Sequence, residues 1–169
     1  MIRYDEFESP LGVLLVLAEG EELTGLHHRE SRERVLPGKD WSREADFPLF
    51  GELRRQLGAY AEGRLRAFDL PLAPRGTPFQ RKIWRLLREI PFGSTLSYGA
   101  LGLRAGRPGA GRAVGAAMGR NPLLLIQPCH RVIGGDGSLC GFGAGLDLKK
   151  ALLDFEARIL RGEGGTFVL

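Results

Sequence analysis

Residues 70–78, LPLAPRGTP, place three prolines and a glycine in nine positions. Proline fixes its own φ and offers no amide hydrogen, so this stretch can continue neither a helix interior nor a central strand. It reads as a linker and divides the chain into 1–75 and 76–169. The charge balance changes at the same place. Residues 1–75 carry 11 Lys and Arg against 14 Asp and Glu, and residues 76–169 carry 13 against 6. A basic second half suggests a polyanionic partner. A solvated arginine-rich surface would look the same, because arginine outnumbers lysine twenty to four over the whole chain.

Ahead of the linker, IRYDEF, VLLVLA and LTGLHH are separated by the turn-forming SPLG and EGEE, which predicts a β-meander. Residues 29–46 are charged and weakly periodic, so they read as loop with at most a short helix. From Pro48 to Ala61, Leu49, Phe50, Leu53, Leu57 and Tyr60 form a helical stripe. After the linker, TPFQ opens a helix. Thr77 can cap it, Pro78 suits its first position and Gln80 completes a capping box. Phe79, Ile83, Leu86, Leu87 and Ile90 share a face, and Pro91 ends the helix. Ser97 can cap a short helix over 98–105. RPGAGRAVGAAM predicts another, with Pro108 near its start and Gly119 past its end. Together they form a helix-turn-helix pattern. Gly111, Ala113, Gly115, Ala116 and Ala117 leave the second helix nearly bald, at roughly 1 kcal/mol per glycine relative to alanine. Close packing on a neighbouring helix is the simpler account of that baldness. LLLI, 123–126, reads as a buried extended run. Asp147 caps a last helix carrying Leu148, Leu152, Phe155 and Ile159.

IQPCHRVIGG, 126–135, sets Cys129 beside His130 in a chain with only two cysteines and three histidines. A free thiol is a weak nucleophile at neutral pH unless a base takes its proton. Neighbouring side chains of an extended strand point to opposite faces. The two groups therefore need a sharp turn or a bridging water between them. The imidazole also needs a third group to fix its tautomer, and Glu156, among the apolar residues of the last helix, is the candidate. An inert buried thiol beside a surface histidine is the bland alternative. Cys140 reads as an apolar filler, and CGFGAG alone says little. His27 and His28, with no cysteines or grouped carboxylates nearby, make a poor metal site. No apolar run is long enough to cross a bilayer, and MIRYDEFE lacks the pattern of a secretory signal. With only two cysteines the expected setting is the reducing cytoplasm.

Taken together, these residues resemble the O6-alkylguanine-DNA alkyltransferase family, the methylated-DNA–protein-cysteine methyltransferases. The resemblance runs from about 77 to 156, through FQRKIWRLLREIPFGSTLSYGAL, RPGAGRAVGAAMGRNP, PCHRV and GFGAGLDLKKALLDFE. It implies an α+β fold. A ribonuclease-H-like sheet domain would lie at 1–75, and a mostly helical, winged-helix-like domain with the helix-turn-helix at 76–169. It implies a Cys129–water–His130–Glu156 relay, attack of the sulfur on the alkyl carbon of O6-alkylguanine, and a single irreversible turnover. O4-alkylthymine stays open as a second substrate.

The resemblance also implies that Tyr98 bonds the flipped guanine and helps to protonate it. Arg112 would fill the gap in the base stack, and Asn121 would tie the helix pair to the reactive turn. The second helix, through Ala113, Gly115, Ala116 and Met118, would lie in the minor groove. The backbone of Cys129 and Val132 would accept from the base, Gly143 would offer its amide to the alkylated oxygen, and Lys149 matches a family lysine near that loop. Phe142 stands where a tyrosine is common and Ala144 where a glycine is usual. No metal and no cofactor are implied, since the zinc ligands of some members are absent. The implied partner is double-stranded DNA, bound by a monomer. Two other readings remain: a non-catalytic lesion-binding relative, and a helix-turn-helix regulator using Cys129 and Cys140 as a redox pair.

Overall fold

The structure, a computed structural model, describes residues 1–139 and 142–169. Cys140 and Gly141, and with them the filler or redox role considered for Cys140, lie outside the described residues.

The meander forms as expected. β1 (Ile2–Ser9), β2 (Gly12–Glu19) and β3 (Glu22–His28) run antiparallel, with Ser9 opposite Gly12 and Glu19 opposite Glu22 at the two tight turns. The order is β3-β2-β1-β4, because β4 (Ser42–Arg43) adds in parallel beside β1. That short strand falls in the stretch read as loop. Two residues are too few to carry an alternating pattern, so only the free edge of β1 selects them. α1 (Pro48–Ala61) packs Phe50, Leu53, Leu57 and Tyr60 onto Leu14, Val16 and Ala18 of β2.

The proline-rich segment is tied down. The amide of Leu23 donates to Pro71 O at 2.8 Å and Ala73 N donates to Leu23 O at 2.8 Å, so the edge of β3 gains a partner. Further along the same edge, Leu26 N donates to Pro122 O and Leu124 N to Leu26 O. The edge of β3 is thus satisfied by the linker segment and by residues 122–124 of the second half.

The helical half opens at α2 (Pro78–Arg88), where Thr77 and Gln80 form the reciprocal capping box. Ile83 and Leu87 face inward, and so does Trp84, whose Nε1 donates to Ala117 O at 2.8 Å. Ser97 caps α3 (Tyr98–Arg104). β5 (Leu96–Ser97) pairs in parallel with β6 (Val132–Ile133) beside the helix pair. α4 covers Gly111–Gly119, so Pro108 lies outside it. Arg107–Ala110 is instead a turn with Gly109 at φ 75° and Ala110 N donating to Arg107 O, the arrangement that a Pro-Gly pair favours. α5 (Leu146–Leu160) starts two residues earlier than expected, with Gly145 at the cap position. Asp147 makes no cap there and sits in the first turn, where the helix dipole favours a carboxylate.

The run 123–126 is buried but not extended. Leu125 sits at φ 69°, with Ile126 N donating to Leu124 O and Gln127 N to Leu123 O. A leucine in that region costs of order 1–3 kcal/mol and persists only where its surroundings impose it. Here it throws the chain from the β3 edge into the reactive turn.

The apolar residues form two clusters. One joins the sheet, α1 and residues 123–126 with Leu148, Leu152, Phe155 and Ile159 of α5. The other joins α2, α3, α4 and Val132. The last helix thus packs with the sheet domain and brings its inner face to the seam between the clusters.

Packing inside the fold explains only part of the bald helix. Ala117 is buried against α2, but a Cβ added at Gly111, Gly115 or Gly119 would meet nothing within 4 Å. The close-packing account therefore fails for these glycines. Gly115→Ala is expected to raise stability by about 0.5–1 kcal/mol in denaturant unfolding. A loss of stability would show that the fold itself needs that glycine.

Candidate active site

The reactive turn is built in three steps. Pro128, at φ −79° and ψ 70°, lets Cys129 N donate back to Gln127 O at 2.8 Å, an inverse γ-turn. Cys129–Arg131 then form one 3-10 turn, and Val132 enters β6. With three residues per turn, adjacent side chains diverge by about 120° instead of pointing to opposite faces. Cys129 stays half-buried on a cavity wall, while His130 turns fully inward.

His130 meets Glu156, which sits on the inner face of α5 with no solvent exposure. Its Nε2 lies 2.8 Å from Glu156 Oε2. The same oxygen accepts from Tyr60 Oη at 2.6 Å and from an Arg131 terminal nitrogen at 3.0 Å. Oε1 accepts from Arg131 Nε at 2.9 Å and from Gly93 N at 3.0 Å. Arg131 also donates to Ile90 O at 2.7 Å. Burial alone would raise the pKa of this carboxyl. The hydrogen bonds from His130 and Arg131, with the Arg131 charge, outweigh it and hold Glu156 far below the usual carboxylate range. Burial also pushes Tyr60 well above the usual phenol value, with the Glu156 charge acting in the same direction, so the phenol remains a donor.

Burial lowers the pKa of His130, and the charges of Arg131 and Lys149 add to that, against the opposing pull of Glu156. The ring is neutral at neutral pH, and its contact with Glu156 is a hydrogen bond to a carboxylate, not an ion pair. An ionised carboxylate can only accept, so the imidazole proton sits on Nε2. Nδ1 keeps its lone pair and, although buried, has no hydrogen-bond partner among the described residues.

Burial raises the pKa of the Cys129 thiol. A hydrogen bond from the Asn121 side chain and the charge of Lys149 pull the other way without overcoming it. The resting sulfur keeps its proton, and reaction requires a base. Asn121, just beyond α4, organises the approach to the turn. Its Nδ2 donates to Gln127 O at 2.8 Å, and its Oδ1 accepts from Leu123 N at 3.0 Å and Gln127 Nε2 at 2.8 Å. Lys149, fully buried on α5, donates to Val132 O at 2.7 Å, so one lone pair of the carbonyl expected to read the base is already engaged.

Cys129 opens onto a cavity of about 650 Å³. Tyr98, the first residue of α3, and Phe142, Gly143 and Ala144 line it, as do Gly115 and Met118 of α4. Arg112, Ala113 and Ala116 are exposed on the outer face of that helix. Met118 is not on that face. It is 7% exposed and forms cavity wall and core, because its position in the helical repeat points it toward α2. Arg131 and Tyr60 are site residues that the sequence pattern did not single out, and so is the far wall of the cavity. That wall is residues 31–35, attached to the lip by Arg32 N donating to Gly143 O at 2.9 Å. His28 is occupied elsewhere, with Nε2 bonded to Leu11 O and Nδ1 accepting from Glu30 N.

Residues 2–74 match the family model described as 6-O-methylguanine DNA methyltransferase, ribonuclease-like domain. Residues 78–158 match the 6-O-methylguanine DNA methyltransferase DNA binding domain. A methylated-DNA–protein-cysteine methyltransferase of Methanosarcina barkeri is 46% identical over 158 residues, covering 94% of this chain and 99% of that protein. One from Haemophilus influenzae is 43% identical, covering 92% and 86%. The crystal structure of Mycobacterium tuberculosis OGT in complex with DNA superposes with a TM-score of 0.84 at 42% identity, covering 93% of this chain and 94% of that one. On this evidence the chain belongs to the methylated-DNA–protein-cysteine methyltransferase family.

Proposed function

We propose that this protein repairs DNA by moving the alkyl group of O6-alkylguanine onto Cys129, once per molecule. The observation that carries the reading is the placement of one thiol on the wall of an open cavity, next in sequence to a buried histidine whose free nitrogen is a lone pair. We assign DNA binding and alkyl transfer to residues 76–169 and a supporting role to 1–75. No helix of the described residues is long and apolar enough to cross a membrane, and we place the protein in the cytoplasm.

The chemistry follows from the protonation states. A water between Cys129 and His130 Nδ1 carries the thiol proton to the imidazole, and Glu156 stabilises the imidazolium through Nε2. The thiolate attacks the alkyl carbon from the side opposite the guanine oxygen. A carbon–sulfur bond forms, the carbon–oxygen bond breaks, and its electron pair goes to the guanine. Tyr98, at the cavity wall, hands the base a proton so that neutral guanine leaves. The thioether sulfur is a poor leaving group, so the reaction stops there.

The target base must leave the duplex to reach this cavity, at a cost of a few kcal/mol. Exposed Ala113 and Ala116, with glycines whose Cβ positions are open, give α4 a face thin enough for the narrow minor groove. Arg112 lies on that face with no hydrogen bond or ion pair to any described residue, and we assign it to the space the base vacates.

Mixing equimolar protein with duplex carrying one O6-methylguanine tests the function. Intact-protein and peptide mass spectrometry should find one added methyl, on Cys129. DNA binding without transfer would instead support a lesion reader. Cys129→Ser should bind the duplex and transfer nothing, and any transfer by that variant overturns the assignment. Arg112→Ala should slow repair of duplex DNA at least tenfold more than reaction with free O6-methylguanine base. Equal losses on both substrates would remove its role in filling the stack.

A further inference from the structure

Tyr60 belongs to α1, in the half of the chain to which no reacting group has been assigned. Its hydroxyl nevertheless reaches the catalytic carboxylate across 96 positions of sequence, donating to Glu156 Oε2 at 2.6 Å. That oxygen is the one facing His130 Nε2. The phenol ring is fully buried and caged by Phe68, Phe92 and Phe155, with centroids 5.8, 5.8 and 5.6 Å away. A ring held on three sides cannot swing, so its hydroxyl is fixed in direction before any substrate arrives. Oε1 is held separately, by Gly93 N and Arg131 Nε.

From this geometry we infer that Tyr60 is a positioning residue for alkyl transfer: through Glu156 Oε2, the sheet domain sets the orientation and the basicity of His130. The inference rests on the alkyl-transfer reading above. The groups facing His130 are Glu156 and Lys149 from α5, Arg131 from its own turn and the Tyr60 phenol from α1. Of these, only the phenol can be removed without changing the charge of the cluster. A hydrogen bond from the phenol draws negative charge off Oε2. Without it, the oxygen facing Nε2 is more negative and the imidazolium is better stabilised. His130 then holds its proton to higher pH and is unavailable as a base over a wider acid range. The carboxylate also loses one of its fixed anchors.

The test is single-turnover methyl transfer from O6-methylguanine duplex, followed across pH. In Tyr60→Phe, which keeps the caged ring, the plateau rate should fall roughly tenfold, in line with the loss of an outer partner to a reacting group. The acid limb of its profile should move to higher pH, with affinity for undamaged duplex unchanged. Tyr60→3-fluorotyrosine keeps the ring and supplies a stronger donor, so its acid limb should move to lower pH. An acid limb that stays in place in both variants, with or without a uniform loss of rate, overturns the inference and leaves Tyr60 a packing residue. A wild-type protein that transfers no methyl would refute the functional reading itself, and it is distinguished by running that arm first.

Discussion

The ionised carboxylate of Glu156 is the contact on which the rest of the structure depends. A charge in a site without solvent is tolerated only when it is paired and fully hydrogen-bonded. Here Tyr60 comes from the sheet domain, Gly93 from the loop after α2, and His130 and Arg131 from the reactive turn. Arg131 balances the charge and the others fill the remaining lone pairs. Removing one member of such a pair leaves the other buried and unmatched, at about 3–5 kcal/mol. The two apolar clusters meet at this point, so the polar hub fixes a register between domains that apolar packing alone would define loosely.

The same hub sets the chemistry. By accepting from Nε2 it directs the histidine lone pair to Nδ1, while burial and the Arg131 charge keep the ring neutral. The thiol beside it is also held in its neutral form. For a protein that uses its cysteine once, a protonated resting sulfur has an advantage. Thiolates are the form that oxidants and adventitious electrophiles attack. The arrangement holds base and thiol as a neutral pair in the resting protein. Arg131 is therefore more than a continuation of the PCHRV motif, because its charge offsets part of the pull that Glu156 exerts on the His130 proton.

Local signals in the sequence were enough to place α1 and to locate the capping box at Thr77 and the cap at Ser97. They also marked Cys129, His130 and Glu156, the last only because its apolar neighbours repeated at helical spacing. Contacts distant in sequence left no such trace. Tyr60 reads as one more residue of an apolar stripe, and nothing local says that its hydroxyl meets a carboxylate 96 positions away. Trp84 escaped the face assigned to α2 although it is buried and bonded to α4. Residues 31–35 carry no period, yet they close one side of the cavity. Leu125 was misread for a related reason. Four apolar residues in a row look like a strand, and only the demand to turn from the β3 edge into the reactive loop forces the left-handed conformation. The glycines of α4 were visible, but whether they served a neighbouring helix or an outside surface required knowing that nothing within the fold approaches them.

The protonation state of His130 can be read directly from the ¹⁵N spectrum of its imidazole in the unreacted protein at neutral pH. The account predicts a neutral ring with its hydrogen on the nitrogen facing the carboxylate and a bare nitrogen on the other side. An imidazolium, or a ring carrying its hydrogen on Nδ1, would contradict it, since neither could receive a proton from the sulfur.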